Sequence, residues 1–328
     1  MNNVQFSDIN EPEKDISIIE MYGEDLTNKV YFTNPAIARE SEIKKLVVVL
    51  LTPEKSGLLV GKPGIGKTAI VEGLAYLIQR HEVPDALMGY RIIKINSTSL
   101  TGKIVKSDKE EMVISILMRE IKNMTKTILF IDEVHTLIGA KSAGPMDLAN
   151  ILKPALDRGD IKAIGATTTI EYETYIVRDR AFLRRFDKID VSEPDDKTTV
   201  KILLGTIPKI EKQTGIKFKY NGYVVELLME SIVSATSEYK RVYGLSAMYP
   251  DVAFSILTQA FSLALFDNKK EVDIRDVYFA IKTSKRIYPD SIVKELESFR
   301  KKFVDFCEEE NITLPIVTIE EVADENIL

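Results

Sequence analysis

Leu58-Leu59-Val60-Gly61-Lys62-Pro63-Gly64-Ile65-Gly66-Lys67-Thr68 is the stretch that decides how this chain is read. A short apolar strand runs into a glycine-rich turn, and a long amphipathic helical pattern opens at Lys67. This is a complete Walker A phosphate loop in its strand-turn-helix setting. Glycines at 61, 64 and 66 let the backbone aim several N–H groups at one phosphate chain, and the helix N-terminus adds its positive end. In such a loop Lys67 reaches the β- and γ-phosphates and the Thr68 hydroxyl holds Mg²⁺. Pro63, Ile65 and Ala69 complete the cradle, so the expected ligands are ATP and Mg²⁺.

Outward from the loop, short apolar strands at 57–60, 91–96, 126–132, 161–167 and 187–191 alternate with helical patterns at 67–79, 112–124 and 146–156. Such order calls for an α/β fold with a mostly parallel sheet covered on both faces. Ahead of it, a helix is expected over 36–51, with Asn34 and Pro35 at its start. After Glu193-Pro194 only helical patterns follow, at 196–212, 222–240, 247–267, 274–283 and 290–308, which describes a small helical lid. Pro208 predicts a kink in the first of these, and Pro250 a place in a helix's first turn. The expected division is an N-terminal extension (1–33), a nucleotide-binding domain (34–193), a helical lid (194–288) and a C-terminal helix and tail (289–328).

Thr127-Ile128-Leu129-Phe130-Ile131-Asp132-Glu133 is an apolar strand ending in two acids, a Walker B element. It presents Asp132 at the sheet end where the phosphate loop lies, suited to Mg²⁺, with Glu133 placed to polarise a water. Thr167 and Thr168 close the next strand, where a hydroxyl can orient water and sense hydrolysis. Arg184-Arg185 follow a long excursion and cannot easily reach their own phosphate. A guanidinium pair there suits an arginine finger donated to a neighbouring subunit, or else pairing with surface acids such as Asp179 or Asp187.

Composition narrows the classes. With 328 residues and 45% hydrophobic content, the chain buries a substantial core. Cys307 is the only cysteine and His81 and His135 the only histidines, which argues against a structural zinc site. Net charge is −6, from 44 basic and 50 acidic residues, giving no global attraction to nucleic acid. The N-terminus lacks the basic and apolar regions of a signal peptide and no apolar run matches a membrane span, so a cytoplasmic location without membrane association is expected.

Taken together these residues resemble the first ATPase ring of the Clp family of AAA+ chaperones, over about three quarters of the chain. The resemblance rests on five stretches: Gly66 to Ala75, Leu129 to Thr136, Asn150 to Leu156, Gly165 to Thr168, and Arg184-Arg185-Phe186. It implies a P-loop αβα sandwich with a five-stranded parallel sheet, a helical lid, and a hexameric ring with ATP between subunits. By resemblance, Lys67 and Thr68 serve phosphate and Mg²⁺, Asp132 serves Mg²⁺, Glu133 activates water, Thr168 is the sensor, and Arg184 and Arg185 act in trans. Ile37 and Ala38 match the segment around adenine, although the family usually has Gly where Ala38 stands.

Two departures bear on function. The family's substrate-gripping loop carries an aromatic residue where Val105 stands in Thr101 to Ser107, which argues against processive threading of arbitrary proteins. In the lid the family's Pro-Asp-Lys-Ala is Pro250-Asp251-Val252-Ala253, and with no arginine over 244–249, Arg241 is left as the candidate to replace the family's lid sensor. A single ring module standing alone, remodelling specific protein partners, is the expectation. The competing readings are a nucleic-acid-associated AAA+ ATPase (a helicase loader or transposition regulator) and an ATP-gated assembly scaffold. Acidic charge and the Lys153-Pro154-Ala155-Leu156 segment weigh against nucleic acid.

Overall fold

A computed structural model describes residues 17–100, 102–106, 109–122, 124–138, 161–242, 248–318 and 321. The expected α/β sheet is present: β2 (Ser56–Val60), β3 (Arg91–Asn96), β6 (Thr127–Asp132), β7 (Lys162–Thr167) and β8 (Phe186–Asp190) run parallel. β2 is buried along its whole length and β6 along all but its last residue, which is why both read as continuous apolar runs. Helices α2 (Glu40–Leu51) and α3 (Lys67–Gln79) bury apolar faces on one side of the sheet. The other side is covered by α1 (Ile18–Tyr22) and α4 (Val113–Lys122).

The sheet has six strands rather than the five expected. β1 (Gly23–Asp25) pairs antiparallel with β3, giving the order β1-β3-β6-β7-β2-β8. The segment expected as a polar extension therefore contributes to the sandwich, with Ile18, Ile19 and Leu26 buried. Its α1 starts on a bridge from far along the chain, where Glu120 accepts hydrogen bonds from the backbone N–H of Ile18 (2.7 Å) and Ile19 (3.1 Å). A Gly-Glu-Asp strand carries no β-forming pattern; the exposed edge of β3 supplies its structure.

Other boundaries move for local reasons. α2 begins at Glu40, not Ala36, because Asn34 Oδ1 accepts from Ala36 N (2.9 Å) and Ala38 takes φ 56°, a left-handed turn that helix cannot contain. Residues around the expected grip loop form a hairpin, β4 (Lys103–Lys106) against β5 (Lys109–Met112), so α4 starts only at Val113. The helix expected over 146–156, and with it the Asn150 to Leu156 stretch, lies outside the described residues.

The lid packs α5 (Asp196–Thr214), α6 (Tyr223–Val242), α7 (Asp251–Phe266), α8 (Ile274–Lys282) and α9 (Pro289–Lys302) around one apolar core. α5 is capped by Asp195, whose carboxylate accepts from Thr198 N at 2.7 Å, and continues through Pro208. Pro250 stands just before α7 rather than inside its first turn. The lid is not wholly helical: β9 (Lys217–Phe218) and β10 (Glu271–Val272) form a two-residue parallel pair, too short to leave a pattern in the sequence. The last expected helix is two, broken at Phe303. Its Ile292, Leu296, Phe299 and Phe303 are buried in the lid core, so it covers the lid.

Candidate functional site

The parallel register brings the phosphate loop and the acidic strand end to one edge of the sheet. β7 lies between β2 and β6, with Val60 level with Thr167 and Ile131 level with Gly165. All three strands therefore deliver their following residues into one cavity of about 360 Å³, lined by Pro63, Gly64, Lys67, Thr68, Asp132 and Glu133 among others.

Gly64 and Gly66 adopt φ 75° and 96°, conformations open to glycine at no steric cost. Gly61 has a different reason: a Cβ there would stand 2.5 Å from the Val191 carbonyl oxygen. The Lys67 ammonium curls over the loop, donating to the carbonyls of Gly61 (2.8 Å) and Lys62 (2.9 Å). Burial lowers its pKa, partly opposed by the charges of Asp132 and Glu171. The Thr68 hydroxyl donates to Asp132 Oδ2 at 3.2 Å, so the two expected Mg²⁺ ligands are neighbours. Hydroxyl and carboxylate oxygens bordering this cavity are the hard donors Mg²⁺ takes. Glu133 sits at φ 52°, with its carbonyl accepting from both the backbone N–H and the hydroxyl of Thr136 (3.0 Å each).

Thr168 starts a helical turn. Its hydroxyl accepts from Glu171 N (3.3 Å), while its own N–H donates to Glu171 Oε2 (3.0 Å), a reciprocal capping box. Thr167 is the more buried of the two hydroxyls and lies 3.2 Å from His135 Nδ1. Both threonines line the cavity.

A second cavity, about 310 Å³, opens beside the loop between Ile37, Ala69, Ile202 of α5 and Phe254 of α7. Here the α/β domain and the lid meet closely, since a Cβ on Gly205 would stand 2.4 Å from Ile37 Cδ1. Ala38 holds the turn at Ile37 in a left-handed conformation, the reason a glycine suits that position.

Arg184 and Arg185 lie at the opposite end of the sheet. The Arg185 carbonyl accepts from Ser56 N at 2.8 Å, at the start of β2, whereas the phosphate loop follows the end of that strand. Five strand residues put roughly 16 Å between them, so the structure does not bring the arginines to their own phosphate loop. Asp187, one of the acids named as an alternative partner, pairs with Lys55 at 2.8 Å. Val105 stands in β4 opposite Glu110, and Arg241 near the end of α6.

Sequence reasoning missed Arg39 and Glu171. Arg39 is buried, and its guanidinium donates to the Ile65 carbonyl of the phosphate loop (2.7 Å), the Ser192 carbonyl (2.9 Å) and Glu42 (2.8 Å). Those carbonyls are remote in sequence and leave no local signal. Glu171 was legible, because Thr168-Thr169-Ile170-Glu171 carries the capping-box spacing.

Residues 57–192 match the sequence profile of the "ATPase family associated with various cellular activities (AAA)". The chain is similar to the chaperone protein ClpB of Staphylococcus epidermidis, 38% identical over 254 residues, covering 76% of this chain and 28% of that protein. Against ClpB of Aquifex aeolicus the figures are 40% over 253 residues, 76% and 24%. The chain thus spans about a quarter of the length of these relatives. Among solved structures, the S. cerevisiae Hsp104:casein complex superposes with a TM-score of 0.65 at 34% identity, over 79% of this chain and 43% of that one.

Proposed function

This chain belongs to the AAA family of ATPases, and from that kinship we propose that it is an ATP-hydrolysing, Clp-like motor that remodels specific protein partners as a ring. The observation that carries the reading is the division of the chemistry between two ends of one sheet. Lys67, Thr68, Asp132 and Glu133 share a cavity, while Arg184 and Arg185 stand at the far end of the sheet from their own phosphate loop.

In this reading the loop N–H groups and Lys67 hold the phosphate chain, and the apolar cavity beside Ile37 and Ala38 takes adenine. Thr68 and Asp132 would hold Mg²⁺, which would supply positive charge against the phosphates. Glu133 polarises the attacking water, Thr168 contributes its hydroxyl as sensor, and the neighbour's Arg184 and Arg185 stabilise the transferring phosphoryl group. A homo-hexamer follows the Clp pattern. Among the described residues no helix is long and apolar enough to cross a membrane. The acidic balance favours a protein partner over nucleic acid.

Phosphate release from ATP, together with ATP-dependent unfolding of a tagged protein, tests this reading. Activity lost in Glu133→Gln and unfolding lost in Val105→Asp support it; an absence of ATP turnover at every protein concentration refutes it.

A further inference from the structure

His135 and Glu171 have no part in the roles above, yet they join the two strand ends that frame the phosphate cavity. Glu171 Oε2 lies 3.2 Å from His135 Nδ1 and 3.4 Å from the Thr167 hydroxyl, which donates to it. The same oxygen accepts from Thr168 N at 3.0 Å. The His135 ring is nearly buried and stacks on Tyr175, centroids 6.1 Å apart and planes 19° from parallel. His135 belongs to the Val134–Leu137 turn, which begins directly after Glu133. Tyr175 belongs to Tyr172–Ile176, a single π-helical turn of a kind that recurs at functional sites.

The geometry of Glu133 explains why such a brace is needed. At φ 52° its backbone is in the left-handed region, which a non-glycine residue keeps only where its surroundings enforce it. Thr136 holds the Glu133 carbonyl from within the turn. From outside the turn, Asp132 Oδ1 accepts from the Glu133 N–H (3.1 Å), and His135 ties the turn to the Glu171 carboxylate and the Tyr175 ring.

We propose that His135 and Glu171 form a positioning pair that fixes the Glu133-bearing turn against the end of β7, so that the water-activating carboxylate faces the nucleotide. The pair rests on the ATPase reading above. A Glu171→Gln variant keeps the capping box, because Gln fills that position as well as Glu. What Gln lacks is the negative charge facing His135.

The test uses the full chain with Glu171→Gln, His135→Asn and the double variant. It reads kcat and KM for ATP, Kd for a slowly hydrolysed ATP analogue, and Tm. Each single variant is expected to lower kcat about tenfold while Kd stays within about threefold. The double variant loses no more than the larger single loss, as two members of one unit do. The pair is overturned if a wild-type chain that hydrolyses ATP gives single variants within about twofold of its kcat. It is equally overturned if the losses multiply in the double variant while Kd and Tm deteriorate in step. A wild-type chain that neither binds nor hydrolyses ATP overturns the ATPase reading itself, and the pair with it.

Discussion

Gly64, at the tip of the phosphate loop, lies so close to Asp251, the first residue of α7, that a Cβ on Gly64 would stand 2.9 Å from the Asp251 Cβ. The lid therefore rests on the loop itself, and a change in either is felt by the other. Glu193 adds a second tie at the domain junction, its Oε1 accepting from Tyr249 N at 2.9 Å.

Gly64→Ala is expected to weaken nucleotide binding by at least about tenfold. A side chain at φ 75° costs about 1–2 kcal/mol, and the new methyl also pushes against Asp251. Titration with a fluorescent ADP derivative measures it, and an unchanged Kd contradicts the contact.

Glu133→Gln separates binding from hydrolysis. The exposed Glu133 side chain borders the cavity but makes no contact that holds Lys67 or Thr68 in place. Turnover should fall at least about a hundredfold while affinity for a slowly hydrolysed analogue stays within about threefold. Phosphate-release kinetics and equilibrium titration together decide it.

Replacing Arg184 and Arg185 by Ala should lower turnover by about a thousandfold and leave nucleotide affinity in the isolated protomer unaltered. Lys55→Ala is the control, since its ammonium donates to the Arg184 carbonyl (3.0 Å) and Asp187 (2.8 Å). Gel filtration alongside the rates separates a lost finger from a lost assembly.

Tyr249 makes the lid sensitive to alkali. Burial pushes its phenol up to about 12, while its hydroxyl donates to the Val233 carbonyl at 2.7 Å. A folded-state pKa above the unfolded value of about 10 gives stability that is complete below that pH and lost as pH rises through 12. Tyr249→Phe should cost about 1 kcal/mol at pH 7 and shrink the alkaline loss. Some slope should remain, because Tyr220 is also raised to about 12 and Tyr278 is raised. Denaturant midpoints at pH 7 and through the alkaline range measure both effects.

Much of the site is legible because its signals are local. The strands announce themselves by the apolar runs at 58–60 and 128–131, and the loop by Gly64 and Gly66 where positive φ is needed. Thr168 shows the limit of such reading. Family resemblance presents it as a sensor hydroxyl, whereas the structure also engages that hydroxyl in capping Glu171 N and places the neighbouring Thr167 against His135. Ile37 was readable only through resemblance, since its cavity is closed by α5 and α7, more than 150 residues further along the chain.

The amino-acid order by itself determined the parallel strands, the phosphate loop and the acids at the end of β6, because each is encoded within a dozen neighbouring residues. Only the tertiary structure decided that β1 joins the sheet, that Arg39 clasps the Ile65 and Ser192 carbonyls, and that Arg184 and Arg185 lie at the opposite end of the sheet from their own phosphate loop. Those facts depend on backbone pairing and on the direction of whole strands, which no side-chain pattern along the chain records.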